Sequence, residues 1–167
     1  MKICVLGFSG SGKSTLARFL GERLNLPVLH LDCVFWYGDW QSRTREEQEI
    51  KVNEFIAANP ESWVIDGNYL KIFRERAELC DEIYFLNFNR FFCYRQALKR
   101  YKKYKGEARP DLPCREKFDF EFKKWLLFDG RTKKRRNELK NFVFDAKGAV
   151  FEFKKQKDLE KFLKSRF

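Results

Sequence analysis

One run of residues has the types and the spacing of a phosphate-binding loop. Glycines in such a loop let the backbone curl around phosphate oxygens, and its N–H groups and the start of the following helix attract negative charge. The pattern G-x-x-x-x-G-K-[ST] is matched at every fixed position by Gly7-Phe8-Ser9-Gly10-Ser11-Gly12-Lys13-Ser14. We therefore predict that a nucleoside triphosphate, ATP, is bound by Gly7, Ser9, Gly10, Ser11, Gly12, Lys13, Ser14 and Thr15.

Two side chains of this loop have predicted roles of their own. Lys13 is placed to reach the β and γ phosphates, and the Ser14 hydroxyl is placed to bind Mg²⁺. The alternative interpretation is an ordinary Gly/Ser turn with an exposed lysine. It is disfavoured because a strand-forming run precedes the motif and an amphipathic helical pattern follows it. ATP and Mg²⁺ are thus the predicted cofactors.

Short apolar runs alternate with helical patterns along the chain, and these elements must position the loop. Thr44 and Glu47 fit a capping box for a helix that stops at Asn59-Pro60. Strands are predicted at residues 2–6, 27–32, 63–67, 82–87 and 149–153. Because β and α elements alternate, the sequence predicts an α/β fold in which helices flank a five-stranded parallel sheet. We expect a single domain over residues 1–167.

Two aspartates follow predicted strands at the edge where ligands bind in open parallel sheets. Asp32 ends the second predicted strand, and Asp66 ends the third. We expect both carboxylates to face the phosphates held by the loop. A structural role is open for each of them: Asp66 could cap the following helix, and Asp32 could be a turn residue at the strand end.

Several motifs together suggest a family. The first of these motifs is the phosphate-binding loop with its continuation through Thr15 and Leu16 to Ala17. The others are His30-Leu31-Asp32, Trp63-Val64-Ile65-Asp66-Gly67-Asn68-Tyr69, Phe85-Leu86-Asn87-Phe88-Asn89-Arg90, Arg109-Pro110-Asp111 and Gly130-Arg131-Thr132-Lys133-Lys134-Arg135. In these motifs the chain resembles the topology modulation proteins, or FlaR-related proteins, nearly end to end. That family is similar to adenylate kinase-like P-loop kinases. The resemblance implies the nucleoside-monophosphate-kinase type of P-loop nucleoside-triphosphate hydrolase fold, with an acceptor-side segment at 33–60 and a mobile basic helical lid at about 105–136.

The resemblance also implies a role for the segment after the third strand. Asp66-Gly67 stands where adenylate kinases have D-G-F-P-R, so Asp66 is expected to hold a Mg²⁺-bound water. Asn68-Tyr69 replaces F-P-R, and the arginine of that motif is missing, which argues against AMP as the acceptor.

The predicted phosphoryl acceptor is a small molecule. We expect it between Asp32, the 44–58 helix and the segment Asp66-Gly67-Asn68-Tyr69. An alcohol acceptor would give its hydroxyl proton to Asp32, whereas a phosphate acceptor needs no base and would leave Asp32 to position substrate or metal. Three aromatic residues after Asp32 could stack on a ring of the acceptor or could pack in the core or a hinge: Trp36, Tyr37 and Trp40.

The net charge of +11 arises from one segment of the chain. Residues 90–140 contain eighteen Lys and Arg against seven Asp and Glu, whereas the rest of the chain has seventeen of each sign. Such a block predicts a polyanionic partner, either a phosphorylated small molecule or a nucleic acid. The segment is predicted to be helical with an irregular interruption at 106–113.

Arginines of this segment are candidates for a lid that closes over ATP. Arg131 and Arg135 lie four residues apart within a predicted helix at 131–144, so both guanidinium groups are expected to point into one catalytic site. Arg90, Arg95 and Arg109 are further candidates. A single arginine here could equally be a solvated surface charge.

These features favour one function and leave two others open. The favoured function is an ATP-dependent kinase that transfers the γ-phosphoryl group of Mg-ATP to a small nucleotide-like or hydroxylated metabolite. A nucleotide-regulated, DNA-associated protein that uses residues 90–140 is the second possibility, less favoured because the chain has no helix-turn-helix signature or zinc finger. The third is a nucleotide-binding protein with vestigial catalysis, in which ATP drives a partner interaction.

Composition excludes other classes of protein. His30 is the single histidine, so no catalytic triad or histidine-based metal site can form, and we expect it to be packed in a structural role. Five widely spaced cysteines without a C-x-x-C pair argue against a disulfide framework or a structural zinc site and favour reduced thiols. No apolar run approaches the roughly 20 residues of a membrane helix, so we expect a cytoplasmic protein.

Overall fold

The computed structural model describes residues 1–167, and at its centre is one parallel β-sheet. Its strands lie in the order β2-β3-β1-β4-β5, and every neighbouring pair is parallel, which confirms the predicted sheet. Because β1 is central while β2 and β5 form the two edges, the loop that follows β1 lies in the middle of the sheet's carboxyl edge. The strand bounds are β1 Lys2–Gly7, β2 Val28–His30, β3 Trp63–Asp66, β4 Glu82–Leu86 and β5 Ala149–Phe153.

Eight α-helices and a short 3-10 turn, Asp129–Arg131, surround the sheet. None of the helices combines the length and the apolar character that crossing a bilayer requires. The irregular interruption predicted in the basic segment lies between α5 and α6, as expected. The helix bounds are α1 Lys13–Leu24, α2 Leu31–Phe35, α3 Arg45–Ala58, α4 Arg76–Leu79, α5 Arg90–Lys103, α6 Phe120–Leu127, α7 Lys133–Phe144 and α8 Gln156–Arg166.

The core is continuous on both faces of the sheet. Four consecutive residues of β1, Ile3 to Leu6, have no exposed surface at all, as expected for a central strand covered on both sides. Cys4 of β1 pairs in register with Ile65 of β3 and Ile83 of β4, so thiol and aliphatic side chains fill the middle of the sheet. This rigid centre supports the phosphate-binding motif, which begins at the last residue of β1.

The predicted capping box begins helix α3. The Glu47 backbone N–H donates to the Thr44 hydroxyl at 3.3 Å, and the Thr44 backbone N–H donates to the Glu47 carboxylate at 2.8 Å. These two bonds satisfy backbone donors that the helix itself leaves without partners. The helix stops at Ala58, directly before Asn59-Pro60, so both of its predicted ends are confirmed.

The structure corrects two predicted boundaries. Strand β2 ends at His30, and the chain turns at once into the short helix α2, so Asp32 lies in the first turn of a helix rather than at a strand end. Helix α7 begins at Lys133 instead of 131, because the Thr132 hydroxyl accepts a hydrogen bond from the Arg135 backbone N–H and caps the helix. Arg131 therefore belongs to the preceding 3-10 turn.

Candidate functional site

A large cavity opens at the carboxyl edge of the sheet, and its volume is about 1020 Å³. Gly10 to Thr15 line it, as do residues from α2, α5, α8 and the segment between α5 and α6. Since α2 follows the edge strand β2 and α8 follows the opposite edge strand β5, the cavity reaches to both sides of the central loop. One cavity can therefore hold a nucleotide and a second small molecule.

The loop after β1 has the open, amide-rich form that binds phosphate. Gly12 adopts a φ of +92°, and a Cβ at this position would meet nothing within 4 Å, so its outer side is free. No side chain caps the start of α1, and the buried Ser11 hydroxyl has no hydrogen-bond partner. Unpartnered donors at a helix start attract an anion, so the residues present fit the predicted triphosphate.

Lys13 lines this cavity and lies near the carboxylates of Asp32 and Asp66. Its ammonium group donates to the Phe8 carbonyl at 3.3 Å. Burial lowers the pKa of Lys13 from its ordinary value, against the opposing attraction of Asp32 and Asp66. A buried ammonium group is poorly hydrated, so a phosphate that binds beside it stabilises its charged form strongly. This property suits the predicted role of Lys13 in binding the β and γ phosphates.

The structure brings together the two predicted Mg²⁺ residues. The Ser14 hydroxyl donates to one Asp66 carboxylate oxygen at 2.9 Å, and Nδ1 of His30 lies against the other. Burial lowers the pKa of His30, but the hydrogen bond and the attraction to Asp66 outweigh it, so the net shift is upward. A hydroxyl beside a buried carboxylate is a donor set that suits a hard cation such as Mg²⁺.

Asp32 and Tyr69 form the predicted acceptor side of the cavity. The Tyr69 hydroxyl donates to Asp32 at 2.7 Å, and the Tyr69 ring stacks on Phe35 with centroids 4.7 Å apart. Burial raises the pKa of Asp32 above its ordinary value, although Lys13 and the Tyr69 hydrogen bond lower it. A raised pKa makes this carboxylate a stronger base than an exposed aspartate.

Gly67 and Asn68 have contacts other than the predicted ones to a substrate. The Asn68 side chain donates to the Gly7 carbonyl at 2.6 Å and accepts from the Gly7 N–H at 3.1 Å, and neither Gly67 nor Asn68 lines the cavity. Asn68 therefore clamps the first residue of the phosphate-binding motif. Asp66 does not line the cavity itself and reaches it through Ser14.

Arg76 fixes the segment that carries Tyr69. It is fully buried without a carboxylate partner, and its guanidinium donates to the carbonyls of Gly67, Tyr69, Ile72 and Phe73. Its Cζ atom also lies 4.7 Å from the centroid of the Phe142 ring. One planar donor group thus organises the whole turn from 67 to 73.

We expect Arg76→Lys to destabilise the protein by about 3 kcal/mol, because an ammonium cannot replace the planar fork and leaves buried carbonyls without donors. Chemical denaturation measures the loss. Arg74→Lys is the matched control, since Arg74 is half exposed in a surface ion pair with Asp145, and it should change stability by less than about 1 kcal/mol. Equal stability losses in the two variants would contradict this role of Arg76.

Aromatic side chains connect the acceptor side to the segment between α5 and α6. Trp36 and Trp40 line the cavity with their ring centroids 5.4 Å apart, whereas Tyr37 lies outside the lining. The Trp40 indole N–H donates to the Arg115 carbonyl at 3.2 Å, and its backbone N–H lies 3.3 Å from the Cys114 sulfur. The segment predicted as a lid thus rests on the predicted acceptor-side segment.

Arg109 of this segment and Arg100 of α5 both line the cavity, and both are already ion-paired. Arg109 contacts Asp111 at 2.8 Å and Glu116 at 2.7 Å. Arg100 contacts the other Glu116 oxygen at 2.8 Å. Asp111 and Glu116 are both buried, so this network pairs the two arginines with two carboxylates, while Lys99, Lys103 and Lys117 line the cavity as further cations.

The predicted pair Arg131 and Arg135 does not meet in one site, because a capped helix start separates the two residues. Arg131 is buried beside the Phe8 ring, outside the large cavity. Arg135 is exposed and lies 4.5 Å above the Trp125 ring, whose indole N–H donates to the Ser9 hydroxyl at 3.1 Å. Arg95 is exposed and lines no part of the cavity, whereas Arg100, about one and a half helical turns later on α5, does.

The opposite end of the cavity is lined by side chains of α1, α5 and α8. Gln96 of α5 donates to Gln156 of α8 at 3.2 Å across this end. The side chains of Phe19, Leu159 and Leu163 line it together with Thr15. An apolar slot with amide groups at its rim suits a heteroaromatic ring, so this end suits the base of a nucleotide whose phosphates lie at the loop.

Comparison with solved structures shows that the chain shares the fold of a P-loop kinase, an α/β fold with a five-stranded parallel sheet. A shikimate kinase from Bacteroides thetaiotaomicron superposes over 99% of this chain and 96% of its own, with a TM-score of 0.54 and 18% identity. An uncharacterized protein from Eubacterium ventriosum superposes over 99% of this chain and 97% of its own, with a TM-score of 0.54 and 17% identity. No family model and no curated protein matches the sequence, so the resemblance to topology modulation proteins stays a prediction.

Three residues that contact the candidate site were not predicted from the sequence to do so. His30 is predicted only to pack, yet it pairs with Asp66, its register partner across β2 and β3. Arg100 and Glu116 are not singled out by any motif, although they complete the ion-pair network at the cavity. Strand register would have revealed the first pair, but nothing in the sequence indicates which basic and acidic residues of the segment meet.

Proposed function

We propose that this protein is a kinase that transfers the γ-phosphoryl group of Mg-ATP to a hydroxyl group of a small metabolite. One observation supports it above all: the phosphate-binding loop with Lys13 and the carboxylate base Asp32 face the same cavity of about 1020 Å³. The fold shared with a shikimate kinase agrees with phosphoryl transfer as the reaction class. Among the predicted lid arginines, Arg109 is the one that lines this cavity.

The nucleotide would lie with its base in the apolar slot beside α8 and its phosphates on the loop. Ser14 and Asp66 would hold Mg²⁺, which when bound neutralises charge on the phosphate oxygens. Lys13 would bind the β and γ phosphates, and the free N–H groups at the start of α1 would orient them. The lid segment would exclude water from the transfer.

The transfer step assigns a proton to Asp32. The acceptor's hydroxyl oxygen forms a bond to the γ-phosphorus, the bond from that phosphorus to the β–γ bridging oxygen breaks, and ADP leaves. Asp32 accepts the hydroxyl proton, and its hydrogen bond from Tyr69 keeps the carboxylate oriented. This is general base catalysis by a carboxylate whose pKa burial has raised.

The charges around Asp32 favour an acceptor without a phosphate or carboxylate group. Arg100 and Arg109 are both held by Glu116, and Arg109 is held by Asp111 as well. Asp32 is partly buried and Asp111 is buried, and both carboxylates would repel an anion. A hydroxylated neutral molecule that packs against Trp36 fits the carboxylates around Asp32 better than a nucleoside monophosphate does.

A panel of acceptors tests the proposal. The measurement is ADP release from Mg-ATP with neutral polyols, sugars and nucleosides in one set and nucleoside monophosphates in the other. We expect turnover in the neutral set, with loss of activity when Mg²⁺ is chelated. Turnover confined to nucleoside monophosphates would contradict the proposal of a neutral, hydroxylated acceptor. No turnover in either set would contradict the proposed kinase activity.

A further inference from the structure

We propose that the protein has a second anion site, for a phosphate-bearing small molecule, in a cavity on the other side of the phosphate-binding motif. This cavity has a volume of about 370 Å³ and shares only Phe88 with the large one. It lies where the carboxyl ends of β1 and β4 meet α5, the 3-10 turn and α7. Its lining consists of Phe8, Phe85, Asn87, Phe88, Asn89, Arg90, Arg131, Arg136 and Lys140.

The charged residues that line this cavity are all cationic. Four of its nine lining residues are cationic, and none is Asp or Glu. Arg90, Arg131, Arg136 and Lys140 also take part in none of the protein's ion pairs, unlike Arg100 and Arg109 in the large cavity. Cations that converge without a counter-charge repel one another, and a bound anion relieves that repulsion.

Arg131 makes this a built site rather than a patch of surface charge. Only 8% of the residue is exposed, and it donates to the carbonyls of Phe88 at 3.0 Å and Leu126 at 3.3 Å. Its guanidinium also packs on the Phe8 ring at 3.9 Å from the centroid. These contacts hold it in place, yet its buried Nη2 has no hydrogen-bond partner. A fixed guanidinium with spare donor capacity suits a phosphate group.

The remaining groups indicate the size and class of the ligand. Asn87 and Asn89 also line the cavity, although the Asn87 amide donates to Glu152 at 2.7 Å and the Asn89 side chain caps α5. Three phenylalanine rings complete the lining. A cavity of about 370 Å³ exceeds the volume of a phosphate ion, so it has room for an ester group beside the phosphate. Its concave shape favours a small phosphate ester over the backbone of a nucleic acid.

The second site also adjoins the first through one residue. The Phe8 ring supports Arg131, and the Phe8 carbonyl accepts the hydrogen bond from Lys13. A ligand in the small cavity therefore lies against the residue that holds the nucleotide-binding lysine. A metabolite bound in the small cavity would therefore influence the position of Lys13 in the phosphate-binding loop through Phe8.

Calorimetric titration tests the site with glycerol 3-phosphate and inorganic phosphate as probes. Mg²⁺ and a non-hydrolysable ATP analogue are kept saturating, so that the nucleotide part of the large cavity is occupied, and the double variant below distinguishes binding in the small cavity from binding on the acceptor side. The double variant Arg136→Ala/Lys140→Ala removes two exposed cations of the small cavity. The control Lys51→Ala/Lys134→Ala removes the same charge from exposed residues that line neither cavity.

We expect one saturable site in the unchanged protein, about tenfold weaker or worse in the Arg136/Lys140 variant and unchanged in the control. Absence of saturable binding by either probe would overturn the proposal. Equal weakening in both double variants would overturn it too, since it would mean nonspecific attraction. Duplex DNA that binds in the same assay and is not displaced by glycerol 3-phosphate would assign these cations to a nucleic acid instead.

Discussion

Lys13→Ala is expected to slow phosphoryl transfer by about 10²–10³-fold while the protein stays folded. In the proposed mechanism Lys13 binds the β and γ phosphates, and loss of one such cationic group costs a rate factor of this size. Because burial already disfavours its charge, which the lowered pKa shows, removing the ammonium should not lower the melting temperature. Steady-state kinetics and thermal denaturation measure the two effects.

The control for Lys13→Ala is Lys51→Ala, which removes an exposed lysine of α3 that does not line the cavity. It should leave turnover unchanged. We expect kcat of the Lys13 variant to fall by a larger factor than KM for the acceptor rises, because Lys13 acts on the transferring group. Unchanged turnover in a folded Lys13→Ala protein would contradict the proposed chemistry.

Asp32→Asn should reduce kcat by about 10²–10⁴-fold, since an amide cannot accept the hydroxyl proton. The same change should raise the melting temperature at neutral pH. The pKa of Asp32 is raised in the folded state, so stability falls as the pH rises from the ordinary pKa of an aspartate, and the full cost of ionisation is present above the raised pKa. Below the ordinary pKa of an aspartate the carboxyl is protonated in both the folded and the unfolded state. The cost of ionisation is absent there, so the variant and the unchanged protein should melt alike.

The pH dependence of the unchanged protein gives an independent check on Asp32. Activity should fall on the acid side around a pKa above the ordinary value of an aspartate, because the base must be ionised. Tyr69→Phe removes a hydrogen bond that stabilises the carboxylate, so the acid limb should move to higher pH. An acid limb that stays in place in Tyr69→Phe, or full activity in Asp32→Asn, would contradict the role of Asp32 as the base.

The elements that depend on local pattern were predictable. The phosphate-binding motif, the five strands and the capping box at Thr44 each rest on residues close together in sequence, and the structure has all of them. Parallel packing then places the ends of β1 and β3 side by side, which explains why the predicted pair Ser14 and Asp66 meets.

The arginines were harder because their positions depend on local caps and long-range partners. The Thr132 cap moves the start of α7 and separates Arg131 from Arg135. Arg100 and Arg109 both form ion pairs with Glu116, and hydrophobic periodicity does not indicate such a contact. Arg76 binds carbonyls of an irregular turn, and no sequence pattern indicates which carbonyls of such a turn lack other donors.

The most direct test of the nucleotide site is the melting temperature with and without saturating Mg-ATP. At a ligand concentration of about a hundred times Kd, binding adds about 2.7 kcal/mol of stability. For a chain of this size that corresponds to a rise of about 5–10 °C. We predict this rise in the unchanged protein and its loss in Lys13→Ala. A melting temperature that Mg-ATP leaves unmoved in the unchanged protein would contradict a nucleotide site at this loop.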